Sequence, residues 1–126
     1  PTLVVTTTKT DYAQIAFSNR SSNANASTDL ILYSNNGTDA SGYIDMGITS
    51  SNFADASFTV TGKGDGYIFM VGADASATDL GNLVLATSDT GTQNKIIFAA
   101  GGLASDDTQM SITPNQNVHI EIPTAS

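Results

Sequence analysis

The apolar runs of this chain are short, and Gly, Asn and Asp break them at intervals of about 8–12 residues, the spacing of an all-β fold made of short strands. The pattern predicts about ten strands, near residues 3–6, 12–17, 29–34, 43–48, 57–61, 67–71, 82–87, 95–99, 109–113 and 117–122. Period-two alternation is clearest at the end, where Val118, Ile120 and Ile122 share one face and His119 and Glu121 the other. Leu30 and Leu32 oppose Ile31 and Tyr33, so that strand is expected to be covered on both sides, and Lys95 to Phe98 reads the same way. Tyr67 and Phe69 form an aromatic stripe beside Ile68 and Met70. Turns are expected at Asn35, Asn36 and Gly37, prolonged from Asp39 to Gly42, and at the three glycines of residues 62–66. Residues 18–28 are polar and lack an apolar face, which predicts a long surface loop or a poorly ordered arm. No segment supports a helix.

Ten short strands exceed one small flat sheet, so the expected architecture is an antiparallel, jelly-roll-like β-sandwich of two layers. Residues 1–11 are expected to form an extended lead-in, and residues 12–126 a single β domain. The start at Pro1 suggests an excised or processed piece of something longer. Sheets of this size leave free strand edges, which symmetric oligomers cover. Tyr33, Tyr43, Phe69 and His119 are the candidate interface residues; the competing expectation is that the aromatic residues fill a monomeric core.

Charge narrows the function. Four Lys and Arg stand against twelve Asp and Glu, a net charge of −8. Lys9, Arg20, Lys63 and Lys95 are too few and too scattered to displace counterions from nucleic acid or to hold an anionic membrane. There are no cysteines, hence no disulfide, thiolate metal site or thiol nucleophile. No apolar run reaches the ~18–20 residues of a membrane-spanning helix. His119 is the one histidine, set in a strand pattern without a nucleophile elbow, and most of the Asp residues sit in turns where they bond nearby amides. No enzymatic activity is expected. Glycines 62, 64 and 66 precede a strand rather than a helix, so they are read as a hairpin turn and not a phosphate loop. No cofactor is expected beyond a structural calcium, whose candidate oxygen donors are Asn35, Asp39 and Asp65; neither loop has EF-hand spacing.

Certain motifs add a resemblance. The chain carries Asp29 before the apolar run LILY, NGTD at 36–39, YIDMGI at 43–48 and SSNF at 50–53. DGYIF at 65–69, GNLVLAT at 81–87, NKIIFAAGG at 94–102 and QMSIT at 109–113 follow in order. This succession resembles a structural module of bacteriophage tail fibres and other virion appendages, over most of the chain from about residue 12. The resemblance implies a non-enzymatic virion part, extracellular, in a tail fibre, head fibre or decoration protein. It implies assembly as a homo-oligomer, a trimer above all, beside other virion proteins, with a host-surface glycan as a further partner. The alternative is a carbohydrate-binding or adhesin domain of a cellular surface protein, with or without calcium. The absence of Trp removes the strongest aromatic platform such a domain could use.

Overall fold

The computed structural model, which describes residues 2–72, 81–87, 94–114 and 118–120, is all-β. The chain divides into two compact units, residues 1–82 and 83–126, each with one three-stranded antiparallel sheet. Among the described residues there are six strands, not the ten expected.

In the first unit β1 (Ser27–Thr38), β2 (Ser41–Thr49) and β3 (Gly66–Val71) lie in the order β1-β2-β3. β1 and β2 form a hairpin whose turn is Asp39 and Ala40, closed by the pair Thr38 and Ser41. The turn expected at Asn35, Asn36 and Gly37 therefore falls inside β1. Those residues take up an irregularity in register between Tyr33 and Thr38 instead. Gly37 is needed there: a Cβ on it would lie 2.5 Å from the Gly42 carbonyl oxygen.

Four expected strands are absent, each for a physical reason. Residues 3–6 have apolar side chains but no paired neighbour, and Leu3, Val4 and Val5 are exposed. In 12–17 the apolar residues Tyr12, Ile15 and Phe17 are not evenly spaced by two, so they cannot share one strand face. In 57–61 local bonds replace a ladder: the Ser57 amide donates to Asp55 Oδ1 at 2.7 Å, and Thr61 N–H to the Phe58 carbonyl at 3.2 Å. Residues 81–87 hold the run Leu83 to Leu85, and no ladder forms on it.

The polar stretch after residue 18 is an exposed loop up to β1, fastened by its own side chains. Asn19 Oδ1 accepts from the Ser21 amide at 3.0 Å and Asn23 Oδ1 from the Asn25 amide at 3.0 Å. The loop also meets the segment after β2, where Ser50 N–H donates to the Ala26 carbonyl at 2.9 Å and Ala54 N–H to that of Ala24 at 2.9 Å. Phe53, in that segment, is 9% exposed and is the one hydrophobic side chain that counts as buried among the described residues.

The second unit contains β4 (Ile96–Ala99), β5 (Thr108–Ile112) and β6 (Val118–Ile120), in the order β4-β5-β6. Ile96, Ile112 and Val118 form one cross-strand row and Phe98, Met110 and Ile120 another, both on the same face. The opposite face carries Ile97, Ser111 and His119. A short 3-10 turn at Ser105–Asp107 precedes β5, and Asp107 Oδ2 accepts from the Ala104 amide at 2.9 Å. The segment 73–80 and Glu121, expected on the same strand face as His119, lie outside the described residues.

Candidate functional site

Strand register sorts the first sheet into two faces of different chemistry. One carries the rows Leu30–Met46–Ile68 and Leu32–Ile44–Met70, with Thr28, Ile48 and Gly66 at one end. The other carries Asp29–Gly47–Tyr67, Ile31–Asp45–Phe69 and Tyr33–Tyr43–Val71.

The polar face is organised around a missing side chain. Asp29 on β1 and Tyr67 on β3 flank Gly47 on the central strand. The Tyr67 hydroxyl reaches across and donates to Asp29 Oδ1 in a close hydrogen bond, while Asp29 Oδ2 accepts from the Ser27 hydroxyl at 2.6 Å. A Cβ on Gly47 would collide with both Asp29 Oδ1 and the Tyr67 hydroxyl, so the bridge over the central strand needs glycine beneath it. Burial, reinforced by the bond to Asp29, pushes the Tyr67 hydroxyl up to about 12. A phenol that holds its proton this firmly remains a donor throughout the neutral range.

Asp45 lies one row further along β2. Its Oδ1 is buried without a hydrogen-bond partner. Burial raises its carboxyl above the usual value and the Asp29 charge adds to the rise, with the Tyr67 hydroxyl partly offsetting both. A buried acceptor left without a donor costs about 1–3 kcal/mol. It is the least satisfied polar group of this face.

Aromatic rings continue the face beyond Asp45. Tyr33 and Tyr43 have centroids 6.2 Å apart, Tyr43 and Phe69 6.4 Å, and Phe58 meets Phe69 edge-on at 6.0 Å. Phe58 comes from the turn-rich segment after β2, which rises over the sheet. Tyr43, Phe58 and Phe69 bound a cleft of about 530 Å³, with Phe53, Asp45 and Asp55 also in its wall.

The aliphatic face has no such organisation. Leu30 is 46% exposed, Leu32 57%, Met46 46%, Ile48 53% and Ile68 49%. The expectation that this strand is covered on both sides is not met: Ile31 and Tyr33 are exposed as well. Phe17 borders a groove of about 540 Å³ on the aliphatic side, and no charged residue belongs to the three rows of that face.

The sequence-derived candidates separate accordingly. Tyr33, Tyr43 and Phe69 come together on the aromatic face, whereas His119 belongs to the sheet of the second unit. Asn35, Asp39 and Asp65 do not converge. Asp39 sits in the hairpin turn and accepts from the Tyr33 hydroxyl at 2.6 Å. Asp65 is at the far end of β2, roughly 25 Å along the strand at ~3.3 Å per residue. There its Oδ2 accepts from the Gly62 amide at 2.6 Å and its own amide donates to Thr49 Oγ1 at 2.9 Å. Among the described residues no group of three or more His, Cys, Asp or Glu gathers as a metal would require. Sequence reasoning missed the Asp29–Tyr67 bridge, Asp45 and Phe58. The signal was Gly47, an isolated glycine within a strand pattern, which marks close approach of neighbouring groups.

No family model, curated protein or solved structure matches the chain.

Proposed function

We propose that this chain is a structural, non-enzymatic module of a virion appendage, in a tail fibre, head fibre or decoration protein, where it serves assembly and presentation at the host surface. The observation that supports the assembly role is the uncharged aliphatic face of the first sheet. Its five half-exposed side chains offer on the order of 500 Å², the size of the largest apolar patch on a soluble monomer, which is often a functional one. Covered by an equal area of a neighbouring copy, such a face would remove about 1,000 Å² in total from water, the lower bound of a specific interface. In this reading other copies of the chain supply the layer that the expected sandwich needs over that face, and the resemblance to fibre modules favours three copies, each face set against a different surface of its neighbour. Tyr33, Tyr43 and Phe69 then lie on the side turned away from the contact.

The same sheet gives a reason to keep the adhesin reading as second. The aromatic cleft joins ring faces to carboxylate acceptors, the combination a small polar ligand requires.

Light scattering over a concentration series tests the assembly role. Association into a discrete multiple of the 13.0 kDa chain is expected. A 13.0 kDa particle at every concentration would overturn it.

A further inference from the structure

The cleft over the aromatic face has a composition that selects by charge. Its wall carries two carboxylates, Asp45 and Asp55, and the rings of Tyr43, Phe58 and Phe69, and none of the chain's four Lys and Arg residues lines it. Asp55 Oδ1 already accepts from the Ser57 amide at 2.7 Å. Asp45 Oδ1 has no donor at all. Ring faces are negative and attract a cation held against them, most strongly where water is excluded. An anionic ligand meets two carboxylates and a chain of net charge −8. A hard divalent ion needs several converging oxygens, and the described residues gather no such set. What the cleft lacks is an N–H donor that also carries positive charge.

We infer that this cleft binds a small organic cation of the alkylammonium class, with Asp45 as its anionic acceptor and Tyr43, Phe58 and Phe69 as its aromatic wall. An ammonium supplies a charged donor to the Asp45 carboxylate in the cleft wall and offsets the negative charge that Asp29 adds beside it. A neutral hydroxyl supplies the donor but not the charge, so an amine should be preferred to its hydroxyl counterpart. The site is independent of assembly, since its residues lie on the opposite side of the sheet from Leu32 and Met46.

NMR titration of the full chain with glucosamine, glucose and tetramethylammonium chloride tests this. Glucosamine should give saturable shifts at Tyr43, Phe58 and Phe69, tetramethylammonium weaker shifts at the same rings, and glucose none that saturate. Asp45→Asn should weaken glucosamine binding about tenfold, and Phe58→Ala about threefold or more. Leu32→Asp should leave binding unchanged. Equal binding of glucose and glucosamine, no saturation with either amine, or full affinity in a folded Asp45→Asn chain would each overturn the assignment.

Discussion

The two faces of the first sheet are written in alternate residues of the same three strands, yet they solve burial differently. The face with Asp29, Asp45 and Tyr67 ties itself together across strands and gains a partial roof from Phe53 and Phe58. The face with Leu30, Leu32, Met46, Ile48 and Ile68 has no such side-chain bridge, and these five side chains stay about half exposed. A sheet earns stability from a face only when something covers it. The polar face finds part of its cover within the unit, and under the proposed function the aliphatic face finds its own in another copy of the chain. Under the proposed function, that difference puts ligand binding on one side and assembly on the other.

The contrast can be broken most forcefully at Gly47. Gly47→Val places a branched side chain where Asp29 and Tyr67 meet, and should cost about 3 kcal/mol or more. Its neighbour Met46→Leu, on the other face, should cost under about 1.5 kcal/mol. Denaturant unfolding followed by circular dichroism measures both; equal costs would mean that the bridge does not organise the sheet.

Leu32→Asp attacks the opposite face. A carboxylate in an apolar contact should weaken association by about 2 kcal/mol or more, roughly thirtyfold, while the isolated chain keeps its fold. Sedimentation velocity at matched concentrations would show the lost mass. Unaltered assembly would move the contact elsewhere.

Tyr67→Phe removes the donor to Asp29 and should destabilise by about 1–2 kcal/mol. The hydroxyl gives a second readout. Its proton is held more tightly folded than unfolded, so the native state binds more protons between the ordinary tyrosine value of 10.0 and about 12. The stability this confers is complete below that window and is lost as pH rises through it. In Tyr67→Phe the alkaline loss should shrink, and tyrosinate absorbance should lack its latest-ionising group.

The smallest effect is expected at Asp45. Its carboxyl is raised in the fold, so stability should increase as pH falls toward the ordinary value of 3.8, and decrease again as pH rises above it. Asp45→Asn should flatten that dependence and add a few tenths of a kcal/mol at neutral pH, the scale of partly solvated charges. A steeper pH dependence in the variant would reverse the sign assigned to Asp45.

Class and alternation were legible in the sequence because the short strands of the sheets carry their own period. β2 and β3 fall within two residues of the segments read from Tyr43 to Ile48 and from Tyr67 to Val71. Strand number was not legible at 3–6, 12–17, 57–61 or 82–87, since a run of apolar residues becomes a strand only when a neighbour pairs with it, and pairing is not local. The hairpin turn falls in the Asp39 to Gly42 part of the expected turn, while Asn35, Asn36 and Gly37 join β1 because they tolerate an irregular strand as readily as a turn. On the polar face, the aromatic stripe of Tyr67 and Phe69 was visible, but its bond to Asp29 joins residues 38 positions apart. Phe58 was invisible for a related reason: its place over Phe69 follows from the turns after Asp55.

Covalent footprinting of the two faces decides the matter most directly. Met46, half exposed on the aliphatic face, reports there through its oxidation by peroxide, and Tyr33 reports on the other side through iodination. As protein concentration rises, Met46 should become protected while Tyr33 keeps its reactivity, and Leu32→Asp should restore Met46 oxidation. Reactivity of Met46 that stays the same across the series, or protection of Tyr33 in its place, would contradict the account.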